Sequence, residues 1–209
     1  MITKIYMVRH TQTIGNVEKR LTGRKDFEVT EDGKRYNMYL TERLKNIKFD
    51  AAYASTSKRS SKTIQKLAEL NHLQIKELDD LCEMYFGIYD GMKWSDVNQI
   101  NPEIHKLHME TNKIMTIPEQ ESTEDVTKRM NKIMLQIANE NLGKTVLICS
   151  HGVAIEAFLR SVTGVPFLQQ IKEYSQTNTS LNILTFDGDT QKFTLELLND
   201  LSHLKGGKK

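Results

Sequence analysis

Short apolar runs, separated by longer amphipathic segments, repeat along the chain. Residues Ile2 to Val8 alternate into a β-branched and aromatic run, which predicts a first strand that ends at Arg9 and His10. Residues Thr145 to Cys149 form a continuous apolar run, which is typical of a strand buried on both faces of a sheet. The pattern predicts further strands at 49–54, 73–78, 181–186 and 193–198, and helices that begin near Thr30, Ser57, Ser95, Pro102, Ser122 and Val153.

The alternation of strands and helices predicts an α/β fold. We expect a three-layer sandwich in which helices flank a mainly parallel central sheet. A length of 209 residues fits a single domain, which we place at residues 1–204. Within it, we expect roughly residues 84–121 to form a lid-like insertion that shapes a pocket. Residues 205–209, which are lysines and glycines, are expected to form a disordered tail.

Composition excludes several classes of protein. A hydrophobic content of 38% and a charged content of 27% are ordinary for a soluble globular chain, so wholesale disorder is not expected. A formal net charge of +2 is too small to indicate nucleic acid as a partner, and no apolar run reaches the roughly 20 residues of a membrane helix. Cys82 and Cys149 lack the spacing of a zinc site or a disulfide framework. We therefore predict a cytoplasmic protein, and the sequence leaves its oligomeric state open.

Two histidines follow the two best-defined strands. Arg9 and His10 come directly after the first strand, and His151 follows the buried run that ends at Cys149. Because ligands of parallel sheets bind beyond the carboxyl ends of the strands, we expect both histidines in one crevice. A metal site of His10, His151 and Glu83 is an alternative, but the adjacent Arg9 would repel a cation. The pattern therefore favours an anion as the ligand.

Four segments together resemble a known family. Residues 9–16, RHTQTIGN, resemble the RHGxTxxN phosphate-binding signature of the histidine phosphatase superfamily, which includes the cofactor-dependent phosphoglycerate mutases. Three further segments match in the same order, and the resemblance spans roughly residues 5–186. They are STSKRSSKT at 55–63, LCEMYFGIYDG at 81–91 and VLICSHGVAIEAFL at 146–159. Four ordered segments are far more specific than one motif.

The resemblance implies a phosphoglycerate mutase-like fold, a small phosphorylated metabolite as the substrate and no metal or other cofactor. It implies a catalytic set of two histidines, two arginines and one glutamate: His10, His151, Arg9, Arg59 and Glu83. It also implies further substrate contacts at Asn16, Gly152, Thr11 and Gly23. Two positions depart from the family pattern, since Thr11 stands where glycine is usual and Gln12 where glutamate is frequent.

The chemistry of these residue types fits phosphoryl transfer. A phosphate monoester carries nearly two negative charges at pH 7, and each arginine offers paired N–H donors to its oxygens. His10 would attack phosphorus as a neutral imidazole and form a phosphohistidine. Glu83 would first protonate the departing alkoxide and then activate water.

Three functions remain open, in order of preference: a phosphatase, a mutase that returns the phosphoryl group to its substrate, and a non-catalytic binder of phosphorylated ligands. The resemblance implies that mutases carry a longer, more basic insertion after the glutamate. Only Lys93, Lys106 and Lys113 lie between Gly91 and Pro118, which favours hydrolysis. Glu83 argues against a mere binder, because binding a phosphate needs no proton donor. The natural substrate has no sequence signature.

Overall fold

A computed structural model describes residues 1–110, 116–167, 169 and 171–205, and within them six strands form one sheet. The strands are β1 (Ile2–Arg9), β2 (Ala51–Ala54), β3 (Ile75–Glu77), β4 (Thr145–Ser150), β5 (Leu181–Asp187) and β6 (Lys192–Asp200). Their order is β3-β2-β4-β1-β5-β6. The pairings from β3 through β2 and β4 to β1 are parallel, and β5 pairs antiparallel with both β1 and β6. The mainly parallel α/β sheet is therefore confirmed.

Helices lie on both faces of this sheet. In the described part of the chain they are α1 (Ile14–Val17), α2 (Glu31–Leu44), α3 (Lys58–Leu70), α4 (Trp94–Ile100), α5 (Pro102–Glu110), α6 (Thr123–Glu140), α7 (Gly152–Thr163) and α8 (Ser202–Lys205). The two four-residue helices, α1 and α8, were not expected, because such short segments show no apolar periodicity. Among the described residues, no helix combines the length and apolar surface that spanning a bilayer requires.

The side chains of β1 alternate between two separate cores. Ile5 and Met7 pack in the cluster that includes α6 and α7, whereas Tyr6 and Val8 pack in the cluster that includes α2 and α3. Successive residues of a strand point to opposite faces, so a fully apolar strand at the centre of the sheet serves both cores. This arrangement gives the three layers that the sequence predicts.

The central pair of strands brings the two histidine segments together. In the parallel register of β1 and β4, Arg9 lies opposite Ser150. The amide of His10 then donates a 2.9 Å hydrogen bond to the carbonyl of Ser150, so His10 and His151 leave the sheet side by side. The expected crevice at the carboxyl ends of the strands is present.

The segment expected to be a lid-like insertion is held to the loop after α1 by backbone hydrogen bonds. The amide of Leu21 donates to the carbonyl of Met92 at 2.9 Å, and the amide of Gly91 donates to the carbonyl of Leu21 at 2.7 Å. A 3₁₀ turn forms within this segment at Gly87–Tyr89. Residues 111–115 of this segment lie outside the described residues, and lid behaviour stays a prediction.

The disordered tail stays a prediction, and only its first residue is described. Lys205 is the last residue of α8, because the helix continues the C-terminal segment after β6 for one turn. The rest of the predicted tail, residues 206–209, lies outside the described residues.

Candidate active site

His10 and His151 lie in contact, with ring centroids 5.1 Å apart. His10 is 2% exposed and its Nδ1 lies 2.7 Å from the carbonyl oxygen of Thr11. A carbonyl only accepts hydrogen bonds, so Nδ1 carries the proton and Nε2 keeps its lone pair. His10 therefore presents a nucleophilic nitrogen at the carboxyl end of β1.

The surroundings keep both imidazoles neutral. Burial, followed by the positive charges of Arg59 and Arg9, lowers the pKa of His10 well below its ordinary value. Burial and the charge of Arg59 likewise lower the pKa of His151 well below its ordinary value. At neutral pH His10 is therefore in the form that can attack phosphorus.

These shifts predict that acid destabilises the folded protein. Unfolded histidine titrates at about pH 6.5, so below that pH the unfolded chain binds more protons than the folded one. The free energy of unfolding should fall from about pH 6.5 downward, by at most about 1.4 kcal/mol per pH unit for each histidine. Urea unfolding at pH 7, 6 and 5 measures this dependence. His10→Asn removes one titrating group, so the pH dependence of the free energy of unfolding should be shallower. The asparagine amide can still donate to the carbonyl of Thr11. Parallel curves for the two proteins would contradict this assignment.

Arg9 reaches across the end of the sheet. Its Nη1 donates to the carbonyl of Gln176. Its Nε is buried and forms no hydrogen bond with any described residue. A Cβ placed on Gly152 would lie 3.5 Å from this Nε and 3.6 Å from Oε2 of Glu83, so the guanidinium and the carboxylate both border Gly152.

Arg59, at the start of α3, is almost completely buried. It contacts both the loop between α1 and α2 and the histidine pair. Its Nη1 donates to Oδ1 of Asp26 at 2.9 Å, and its Nη2 donates to the carbonyl of Gly23 at 2.7 Å and to Nδ1 of His151 at 3.0 Å. Since His151 Nδ1 accepts this bond, its protonated Nε2 donates to Oγ of Ser55 at 2.7 Å. The Nε of Arg59, like that of Arg9, is buried and unbonded within the described residues.

Glu83 caps the N-terminus of α7. Its Oε2 accepts from the amide of Val153 at 3.1 Å, and its Oε1 accepts from the amides of Ala154 at 3.1 Å and Met84 at 2.9 Å. The positive end of the helix dipole also favours an anion at this place. The carboxylate is thus fixed next to Gly152 and Arg9, although Glu83 and Val153 are 70 positions apart in the sequence.

A cavity of about 180 Å³ opens over this cluster. Of the residues that the sequence assigns to the site, it is lined by Arg9, His10, Asn16, Glu83 and Gly152. His151 and Arg59 are absent from the lining and stand behind His10. Further lining residues, which the sequence did not indicate as site residues, include Arg20, Phe86, Trp94, His108, Glu156 and Gln176.

The remaining predicted contacts divide between the cavity and its support. Oδ1 of Asn16 accepts from the amide of Thr13 at 3.0 Å, which leaves the side-chain amide nitrogen to donate to a ligand. Thr11 is fully buried, and its hydroxyl donates to the carbonyl of Gly33 at 2.7 Å. Gly23 holds Arg59, and a Cβ there would lie 2.5 Å from Oδ1 of Asp90. Direct substrate contact by Thr11 or Gly23 stays a prediction, and both support the site from behind.

Sequence reasoning missed the residues that orient the catalytic set. Ser55 lies in the matched segment 55–63, so its contact with His151 had a signal. Asp26 had none, because its contacts with Arg59 and with the amide of Lys58 arise only in the folded chain. Within the described residues, no group of three or more His, Cys, Asp or Glu side chains is arranged to hold a metal ion.

Comparisons with known proteins agree with this geometry. "Uncharacterized phosphatase PhoE" of Bacillus subtilis (strain 168) is 28% identical over 206 residues, which cover 98% of each chain. "Metal-independent phosphoserine phosphatase" of Arabidopsis thaliana is 27% identical over 206 residues, which cover 97% of this chain and 84% of that one. The solved structure of Bacillus stearothermophilus YhfR matches with a TM-score of 0.88 at 28% identity, over 97% of this chain and 99% of that one. A family model described as "Histidine phosphatase superfamily (branch 1)" matches residues 5–201, so the chain belongs to the histidine phosphatase superfamily.

Proposed function

We propose that this protein is a phosphatase that hydrolyses a small phosphomonoester through a phosphohistidine on His10. The observation that carries the proposal is the pairing of an unprotonated, buried His10 Nε2 with the buried Nε–H of Arg9, which lines the same cavity and lacks a partner among the described residues. Buried N–H groups without acceptors are costly. An oxygen of a phosphate would satisfy the Arg9 N–H while phosphorus lies before the nucleophile.

Substrate binding in this proposal uses donors that are already in place. Arg9 meets the phosphate directly, since it lines the cavity, and Asn16 and the amide of Gly152 add neutral donors at the start of α7. Arg59 supplies positive charge from behind His10 and keeps His151 neutral and oriented. Positioning and charge stabilisation of this kind supply most of the barrier reduction in phosphoryl transfer.

Glu83 is the group that moves protons. Its carboxyl group would enter this step with a proton and pass it to the leaving alkoxide while His10 attacks phosphorus, so that the P–O ester bond breaks as the P–N bond forms. The same carboxylate would then take a proton from the water that attacks the phosphohistidine, which releases inorganic phosphate and returns His10 to its neutral form. Its hydrogen bonds to backbone amides hold it in one place for both steps.

The cavity favours a small metabolite that is hydrolysed rather than rearranged. Its volume of about 180 Å³ is below the roughly 300–1,000 Å³ of sites for drug-sized ligands. Two lysines of the insertion are paired with acids of the chain, Lys93 with Glu18 at 3.6 Å and Lys106 with Glu110 at 3.8 Å. They line no part of the cavity, so they add no binding site for a second phosphate of a mutase intermediate.

The free thiols bear on where the protein acts. Cys82 and Cys149 are both buried and unbridged. Unpaired thiols are typical of reducing compartments, so we place the protein in the cytoplasm. We also propose that catalysis needs no metal ion, since the residues described here supply both the charge and the nucleophile.

A substrate panel tests the proposal. Phosphate release should be detected from p-nitrophenyl phosphate and from at least one of a panel of sugar phosphates, nucleotides, phosphoglycerates and phosphoamino acids. The rate should be independent of an added bisphosphate primer. Conversion of 3-phosphoglycerate into 2-phosphoglycerate that requires the primer would favour the mutase, and binding without turnover of any panel member would favour the non-catalytic binder.

A further inference from the structure

A second carboxylate lines the cavity and has no part in the mechanism above. Glu156 is on α7, four residues after Gly152, which places it about 6 Å further along the helix on the same face. It is 7% exposed, and it lines the cavity together with Gly152 and Val153. A group attached to the ester oxygen of a bound phosphate would extend along this face of the helix.

One carboxylate oxygen of Glu156 is held by the guanidinium of Arg160. Oε1 lies 3.0 Å from Nε and 2.9 Å from Nη2 of Arg160, one helical turn later. Arg160 is itself held, since its Nη1 donates to the carbonyl of Pro166 at 2.8 Å and its guanidinium lies 4.9 Å from the ring centroid of Tyr174. The carboxylate therefore has a fixed orientation before any ligand arrives.

The other oxygen is available to a ligand. Oε2 of Glu156 accepts no hydrogen bond from the described residues, although the side chain belongs to the wall of the cavity. Phe86 and Trp94 contribute apolar surface to the same cavity. An oriented acceptor in the wall of a cavity discriminates between partners that carry a donor and partners that lack one.

We propose that Glu156 selects the leaving group: Oε2 accepts a hydrogen bond from an N–H or O–H donor a few bonds from the ester oxygen. An ammonium group should be preferred to a hydroxyl, because its charge strengthens the bond to a carboxylate. A leaving group with a carboxylate at that position should be rejected by like-charge repulsion. This inference rests on the proposed phosphatase activity and narrows its substrate class to phosphomonoesters of amino alcohols and polyols.

Four short substrates that differ at one terminal group test the inference. They are O-phosphoethanolamine, 2-hydroxyethyl phosphate, propyl phosphate and phosphoglycolate. We expect kcat/KM to decrease in that order, with the ammonium substrate favoured over the propyl ester by about 10- to 100-fold, the size of one hydrogen bond to a charged group. In Glu156→Gln the amide oxygen can still accept from Arg160 while an amino group replaces Oε2, so this ratio should shrink to within about threefold.

A matched substitution separates specificity from structure. Glu124 on α6 also pairs with a cation one turn later, Lys128 at 2.9 Å, but it lies on the surface. Glu124→Gln should keep the wild-type order of the four substrates. A uniform loss of kcat/KM for all four in Glu156→Gln, or an unchanged order, would overturn the inference while hydrolysis of p-nitrophenyl phosphate by the wild type upholds the phosphatase. Failure of the wild type to hydrolyse any of the five compounds would overturn both.

Discussion

Replacing His10 by alanine should lower kcat for p-nitrophenyl phosphate by at least about a thousandfold, the order of loss seen when a covalent nucleophile is removed. The variant retains the arginines and Glu83, so it should still bind inorganic phosphate or vanadate. Assays of the p-nitrophenol and phosphate released over time give kcat, and isothermal titration calorimetry gives the affinity for phosphate or vanadate. Loss of turnover with retained binding would separate a missing nucleophile from a collapsed site.

A histidine outside the site provides the control. His72 is exposed and has a φ of 54°, a conformation that asparagine also accepts, so His72→Asn should leave folding and kcat unchanged. Treatment of the wild type with a chelator should also leave kcat unchanged. Activity of His10→Ala within tenfold of the wild type would refute the covalent mechanism, and inactivation by the chelator would restore the metal site as the better explanation.

The sheet and the position of the site were predictable because both depend on local pattern. The run from Thr145 to Cys149 is apolar at every position but its first, and such a run fits only the middle of a covered sheet. Once β1 and β4 are parallel neighbours, the polar residues that follow each of them must meet at one edge. The convergence of His10 and His151 is therefore a consequence of strand patterning.

The contacts that set the chemistry were not predictable, because they join segments that are far apart in the chain. Glu83 meets the amide of Val153 across 70 positions, and Arg59 meets Asp26 across 33. Residue type indicates that a carboxylate or guanidinium needs partners, but only the fold decides which ones. The sequence analysis likewise expects both arginines to contact the phosphate, whereas the structure places Arg59 behind His10, outside the lining of the cavity.

This arrangement divides the proposed catalytic set into two layers. Arg9, His10 and Glu83 line the cavity and can touch a ligand, whereas Arg59 and His151 form a buried chain behind them through Nη2 and Nδ1 at 3.0 Å. The rear layer lowers the pKa of His10 through the charge of Arg59 and packs against its ring. In the proposed mechanism the front layer would therefore bind and attack the substrate, whereas the rear layer would keep His10 neutral and in place.

Replacing Glu83 by glutamine should convert a steady reaction with p-nitrophenyl phosphate into a burst. p-Nitrophenolate departs without a proton, so His10 can still be phosphorylated, whereas attack of water on the phosphohistidine loses its general base. We expect about one equivalent of p-nitrophenol per active site, followed by turnover slowed by about 10²- to 10⁴-fold. Rapid-quench kinetics give the burst, and the trapped phosphoenzyme should be labile to acid and stable to alkali, as a phosphohistidine is.

A poor leaving group provides the internal control for this variant. With an alkyl phosphate the departing alkoxide needs a proton, so Glu83→Gln should slow the first step as well and no burst should appear. The glutamine amino group also faces the backbone amides that Glu83 accepts from, so thermal unfolding of the variant establishes that α7 is still in place. Loss of the general base slows only the second step with p-nitrophenyl phosphate, so a burst must appear if Glu83 transfers protons. If the folded variant shows equal slowing and no burst with both leaving groups, Glu83 positions the site and does not transfer protons.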